Sequence, residues 1–254
     1  MTPRREISAL PEGTRVGGFT VGPVLGGGKS SLVYKGVDDS LLRTVVLKEY
    51  FPAESASRRG SAQVEAKPGR QGQFEDGLRR FGAEAGAMSS FRSPVLREVL
   101  QYFAANGTAY IVMPYLEGKT LRQMVRGGWR ATGAGDLLAV ILPILEGVFT
   151  LHKAGYGHFG ISPGNILVQD GGRPVLIDFG AARRMGRDTT QFPVTDLSPG
   201  FAAKEQYYDA AGDGESGPGT WTDIYGISAV AYYIVTGNIP EISISRVAHD
   251  ALRP

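Results

Sequence analysis

The stretch VLGGGKSSLVYK, residues 24 to 35, is the first in the chain whose residue types and spacing could do chemistry. Glycines at 26 and 28 would let backbone N–H groups approach a phosphate with no Cβ in the way. The same run also makes an ordinary Gly-rich hairpin turn, so alone it decides nothing. Its GGGKS core ends like a P-loop, but that motif sets its first glycine five residues before the Gly-Lys pair, where Pro23 stands. A P-loop also opens a helix, whereas SLVYKGV is strand-like. The P-loop reading fails on both counts.

The elements that must position such a loop can be read from periodicity. Phe19 to Leu25 and Ser31 to Val37 read as strands flanking the Gly-rich turn, and Thr44 to Lys48 is a short β-branched run. Residues 52 to 73 are polar, rich in Ser, Arg and Gly, and without a convincing period, which reads as an insertion. A helix is expected from about Asp76, as N-cap, to Phe91, with Leu78, Phe81, Ala85 and Met88 on one face. Strands Val95 to Ala104 and Ala109 to Met113 flank an Asn106-Gly107 hairpin turn. Helices are expected at about 120–126, 136–154 and 220–236, and the loop region 155–219 holds short strands at 166–169 and 174–177. A β-rich half followed by a helical half predicts an α+β protein in two lobes.

Composition narrows the function classes. The 254 residues are 42% hydrophobic and 20% charged, a globular balance with room for a sizeable core. A net charge of +2 gives no global pointer to nucleic acid or an anionic membrane. With no cysteine there can be no disulfide or Cys-ligated metal, which fits a cytoplasmic location. The N-terminus lacks the apolar core of a signal peptide. The longest apolar run, Leu137 to Leu145, carries Pro143 and is followed by Glu146, so a core helix buried on most sides is expected, not a membrane segment.

Further motifs follow the Gly-rich loop in order. TVVLK ends at Lys48; RFGAEAGAM supplies Glu84 on the following helix; AYIVMPYLEG reads as a hairpin strand and hinge. Then come HFGISPGNIL at 158–167, LIDFG at 176–180, SPGFAAKEQY and TDIYGISAV. Taken together these resemble a protein kinase of the bacterial Ser/Thr type over roughly residues 18 to 245. KEYFPAE and the insertion after it resemble a bacterial subgroup of that family. The resemblance implies an N-terminal segment 1–17, a lobe 18–113 with its insertion, and a hinge with a helical lobe from 114 to 254.

The resemblance also assigns roles. Gly26 and Gly28 would admit the phosphates of ATP, with Ser31 in place of a third glycine. Lys48 would neutralise phosphate charge and Glu84 would hold it. Val33, Val46 and Leu167 would sandwich the adenine, Met113 would guard the back of the pocket, and the backbone around Pro114, Tyr115 and Leu116 would bond its edge. Asn165 and Asp178 would ligate Mg²⁺. His158 would be structural, stacking with Met88, Val99 and Phe179 in a spine; His152 and His249 receive no role.

Departures from the family pattern cluster in the catalytic loop. Gly160 stands where an aspartate accepts the substrate proton, which leaves the base position vacant; Phe159 replaces the adjacent arginine, and Ser162 replaces the usual lysine. Loss of a general base is worth about 10²–10⁴ in rate, or roughly 2.7–5.4 kcal/mol of barrier. Lacking that arginine, a phosphate on Thr189 or Thr190 would lack its usual receptor. Lys204 replaces the proline before Glu205. Only 49 residues follow Glu205, fewer than the last helices of such a lobe need: either the chain is a piece of a longer protein or the lobe is short, and in both cases a protein partner or neighbouring domain is expected to cover the surface. Three functions remain open: a regulatory pseudokinase that binds Mg·ATP, an atypical kinase using Asp188 or Asp196 as substitute base, and a scaffold that binds no nucleotide.

Overall fold

A computed structural model of the chain describes residues 8–185, 197–211 and 217–247. It divides into two compact units, Met1–Ser90 with Glu98–Tyr115, and Phe91–Arg97 with Leu116–Pro254.

The first unit is built on a six-stranded antiparallel sheet. Its strands are β1 (Arg15–Val16), β2 (Phe19–Gly27), β3 (Ser31–Asp38), β4 (Arg43–Tyr50), β7 (Gln101–Ala105) and β8 (Thr108–Pro114), in the order β1-β2-β3-β4-β8-β7. Strand β8 reads TAYIVMP, an almost continuous apolar run, and all but its last residue are buried. The β7–β8 turn is the expected Asn106-Gly107 pair, with φ of 53° and 71°. Helix α1 (Gln71–Ser89) packs on β4 through Tyr50, whose ring lies 5.3 Å from Phe74 and 5.6 Å from Phe81 and whose hydroxyl donates to the Phe74 carbonyl at 3.0 Å.

Three expectations fail in this unit. The helix begins at Gln71, not Asp76, because the buried stripe Phe74–Phe81–Ala85–Met88 extends one turn further back; Asp76 sits inside the helix and bonds Arg79. Residues 95–100 do not join the strand ending near Ala105. Leu96 instead makes a parallel bridge to Leu176, and the Arg97 N–H donates to the Leu176 carbonyl at 2.9 Å, both in the second unit. The stretch 52–73 contains a hairpin, β5 (Ala56–Arg59) and β6 (Gln63–Ala66). Its anchor is Arg58, whose guanidinium donates to Glu49 on β4 at 2.7 and 3.1 Å. No local period reveals such a bond.

The second unit holds β9 (Gly118–Thr120), α2 (Leu121–Arg126), α3 (Ala134–Lys153), β10 (Tyr156–Gly157), β11 (Ile166–Gln169), β12 (Pro174–Leu176), β13 (Arg183–Arg184), α4 (Lys204–Ala211), α5 (Thr220–Thr236) and α6 (Ser243–Arg246). Thr120 caps α2 through a capping box with Gln123. Helix α3 packs on α5. At Gly147 a Cβ would meet Val95 Cγ2 at 2.6 Å, so glycine there admits the 91–97 segment against the helix. The expectation that this helix is buried on most sides is wrong. Val140, Ile144, Gly147, Val148 and Leu151 are buried, while Leu138, Leu142 and Phe149 face outward. By length and hydropathy alone α3 passes as long and apolar enough to span a membrane, a test that core helices also meet. Helix α4 lies within 155–219, where the sequence predicts loop and short strands only.

Candidate functional site

In the first unit, pairing register sets the candidate residues side by side. Gly26 pairs with Val33, Val33 with Lys48, and Val46 with Met113. Lys48 Nζ reaches Glu84 Oε1 at 2.6 Å, with 12% and 8% of the two side chains exposed. At that burial an aligned pair acts as a positioning device more than a source of stability. Met113 is buried, and Lys35 lies over the Tyr115 ring at 4.5 Å. In the Gly-rich hairpin, a Cβ on Gly26 would meet nothing within 4 Å and one on Gly28 only Ser31 Oγ at 3.7 Å. The crowded glycine is Gly27, where a Cβ would lie 2.6 Å from the Ser31 carbonyl. The space over Gly26 and Gly28 is therefore open, a cradle their missing side chains leave.

In the second unit, the catalytic loop is pinned by a residue to which the sequence reading gave no role of its own. Asp223, buried on α5, accepts from the backbone N–H of His158 at 2.9 Å and of Phe159 at 2.6 Å, and its Oδ2 lies 2.8 Å from His152 Nε2. The absence of a role for His152 is thereby corrected: it faces the anchor carboxylate. The TDIYG motif carried the signal, but nothing in it shows which backbone groups Asp223 meets. His249, Thr189, Thr190, Asp188 and Asp196 lie outside the described residues.

Phe159 adopts φ of 55°, a left-handed conformation costly for a non-glycine residue. Asp223 holds its N–H, and its carbonyl accepts from Gln206 Nε2 at 2.8 Å. Its ring is buried against Gly157, where a Cβ would overlap it. His158 is fully buried, 4.9 Å from the Phe179 ring between centroids, and its Nδ1 accepts the Gly160 N–H at 3.2 Å. Burial holds its pKa below the ordinary histidine value, against the pull of Asp223 and Asp178. A neutral imidazole in the core suits a packing role.

Gly160 presents no side chain. A Cβ there would lie 3.2 Å from Ala181 Cβ, so the backbone is set closer than a larger residue would have it. Ser162 is buried and offers nothing to a substrate. Asn165 Nδ2 donates to the Gly160 carbonyl at 2.8 Å, which leaves its Oδ1 without a hydrogen bond among the described residues. The Ile177 N–H donates to the Asn165 carbonyl at 2.9 Å, which brings the residue before Asp178 against Asn165. Asp178 Oδ1 accepts the Gly180 N–H at 3.2 Å. Leu167 on β11 pairs with Thr120 and Val175.

The donor set is two hard oxygen residues. Among the described residues no group of three or more His, Asp or Glu could cage a metal. Asn165 and Asp178 as a pair of oxygen donors fit Mg²⁺, which is held by one or two protein oxygens with phosphates and water completing the shell. A separate surface cavity of about 330 Å³, lined by Lys204, Glu205, Trp221, Tyr225, Ser243, Arg246 and Val247, contains none of these residues. There Glu205 Oε1 accepts from Thr222 Oγ1 at 2.5 Å.

The comparisons with known proteins agree with this arrangement. The protein kinase domain family matches residues 19–250. The chain is 29% identical over 224 residues to the serine/threonine-protein kinase PknL of Mycobacterium tuberculosis, covering 87% of this chain and 50% of PknL. It is 30% identical over 243 residues to PknK of Mycobacterium bovis, covering 93% of this chain and 19% of PknK. The chain thus spans about half the length of PknL and a smaller part of PknK. A solved structure of PpkA-294 in its apo form superimposes with a TM-score of 0.82 at 33% identity, over 97% of this chain and 85% of that one. With both its β-rich and its helical unit accounted for, the chain belongs to the protein kinase domain family and has that family's two-lobed α+β fold.

Proposed function

We propose that this domain binds Mg·ATP and serves as a regulatory pseudokinase, with phosphoryl transfer far below that of a working kinase. The observation that carries the reading is an asymmetry of retention: the Lys48–Glu84 pair is formed at 2.6 Å, while Gly160 puts no side chain at the base position. In this reading Gly26 and Gly28 would admit the phosphates, Lys48 would meet their charge, and Val33, Val46, Met113 and Tyr115 would supply the first unit's side of the adenine environment. Asn165 Oδ1 and Asp178 would hold Mg²⁺, whose charge would offset that of the phosphates. Phe159 and Ser162, both buried, leave the loop with neither the cation nor the base that substrate chemistry uses. A scaffold that binds no nucleotide has no need for Lys48, Asn165 and Asp178 together.

Isothermal titration of ATP into the purified protein, with Mg²⁺ and then with EDTA, tests the reading. Binding strengthened by Mg²⁺ and weakened at least about tenfold in Lys48→Ala is expected, the loss of one charge-assisted contact being worth about 1.5–3 kcal/mol. No binding in either condition would leave the fold as a surface only. Robust transfer of labelled phosphate by the unmodified protein would overturn the pseudokinase part.

A further inference from the structure

We infer that residues 8–14 are a strap that sets the Lys48–Glu84 pair from the opposite face of the sheet. Glu49 is the positioning residue between them. The functional consequence, control of nucleotide affinity, rests on the Mg·ATP reading. Successive side chains on a strand point to opposite faces, so on β4 Glu49 turns away from Lys48. Lys48 shares its face with Tyr50, against which α1 packs, and its Nζ lies 5.8 Å from the centre of the Phe81 ring. On the other face Tyr34, Leu47, Glu49 and Tyr110 are completely buried.

Two segments reach that buried face. From the N-terminal side, the Leu10 N–H donates to Tyr34 Oη at 3.1 Å, and the Leu10 side chain is itself buried. From the hairpin β5–β6, Arg58 donates to Glu49 through both Nη atoms, and its Nε donates to the Ser8 carbonyl at 2.8 Å. The Tyr34 hydroxyl in turn donates to Glu49 Oε2 at 2.7 Å. Ser8 and Leu10 are thus each one side chain away from the Glu49 carboxylate. Two backbone bonds close the strap onto β2: Gly13 N–H to the Val21 carbonyl at 2.8 Å, and Val21 N–H to the Thr14 carbonyl at 2.9 Å.

Glu49 is placed to transmit a shift along this route. Tyr34 stands on β3 and Tyr110 on β8, the two neighbours of β4, and Tyr110 Oη donates to Glu49 Oε1 at 2.9 Å. One carboxylate therefore ties three adjacent strands together, one peptide bond from Lys48. A buried, fully bonded carboxylate has no alternative position of low cost, so a displaced strap moves β4 with it. The Lys48–Glu84 contact of 2.6 Å joins two different elements, and a shift of about 1 Å takes it out of hydrogen-bond range.

The test compares Tyr34→Phe and Leu10→Ala with the unmodified protein. Tyr34→Phe removes the hydroxyl that joins Leu10 to Glu49 and keeps the ring, while Arg58 and Tyr110 still hold the carboxylate. Acetylation of Lys48 by acetic anhydride, read by peptide mass spectrometry, reports on the pair without nucleotide, since the held side chain is only 12% exposed. Both variants should acetylate Lys48 faster and bind Mg·ATP about fivefold or more weakly, the low end of coupling between distinct sites. Tyr34→Phe alone decides should Leu10→Ala fail to fold. Val140→Ala, in the buried core of the second unit, should lower the thermal midpoint and change neither readout. Unchanged acetylation in Tyr34→Phe, unchanged Mg·ATP affinity despite faster acetylation, or a Val140→Ala protein that behaves like the strap variants would each overturn the proposal. If the unmodified protein binds no ATP while the strap variants acetylate Lys48 faster, the Mg·ATP reading alone fails and the strap's hold on the pair is upheld.

Discussion

At the scale of single residues, Gly160 and its neighbours decide what the proposed pseudokinase reading predicts for a restored aspartate. Restoring an aspartate brings its Cβ to 3.2 Å from Ala181 Cβ, and Ser162 remains buried beneath the loop. Gly160→Asp should therefore lower stability by about 1 kcal/mol, at the mild end of overpacking, and raise transfer of labelled phosphate less than about tenfold, well short of the 10²–10⁴ a positioned base supplies. Gly160→Asp/Ala181→Gly should recover the stability in thermal unfolding without a matching gain in rate. His158 makes a second residue-scale prediction. Its folded pKa is depressed by burial, so the unfolded chain takes up a proton below about pH 6.5 that the folded one resists. The neutral ring's contribution is intact above that pH and is lost as pH falls through it. His158→Leu should flatten the decline of urea midpoints between about pH 7 and 5.

At the scale of elements, the hairpin β5–β6 is tied into the sheet through one buried carboxylate. Glu49 has no exposed surface; it accepts from Arg58 and from the hydroxyls of Tyr34 at 2.7 Å and Tyr110 at 2.9 Å. Arg58 also donates to the carbonyls of Ser8 at 2.8 Å and Ala62 at 2.7 Å. Burial, together with the Glu49 charge, pushes both tyrosine pKa values far up, so they stay donors at any physiological pH. Arg58→Met should destabilise the protein by about 3–5 kcal/mol, because it strands a buried charge. Arg58→Met/Glu49→Met should return most of that loss in chemical denaturation, since the penalty lies in the unpaired partner. A double variant no better than the single would show that the hairpin is held by its apolar contacts instead.

At the scale of the whole molecule, nucleotide binding should register as stability. If Mg·ATP binds the folded chain alone, ATP at about 100-fold over its dissociation constant adds roughly 2.7 kcal/mol. Thermal unfolding should then shift upward with ATP and Mg²⁺ and shift less with ATP and EDTA. In Asp178→Asn the difference between the two conditions should shrink. An equal shift in both conditions would separate nucleotide binding from metal binding.

The sequence by itself determined which residue types stand in which order. The β2–β3 hairpin, β4 ending near Lys48, the β7–β8 turn at Asn106-Gly107, the helices near 120–126 and 220–236, and the strand at 166–169 follow from local periodicity and turn chemistry, and the structure has all of them. The vacancy at Gly160 is also plain in the letters HFGISPGNIL. Only the tertiary structure decided what those residues touch. The Glu49–Arg58 bond within an insertion that shows no period, the capture of 95–97 by Leu176, the three bonds to Asp223 and the bond from Leu10 to Tyr34 all join residues distant in sequence. The physical reason is common to them: each rests on a buried or close-packed contact whose partner is set by chain folding, and neither propensity nor spacing encodes a partner's identity. The outward face of α3 shows the same limit, since an apolar helix does not state in its own sequence how much of its surface the rest of the chain will cover.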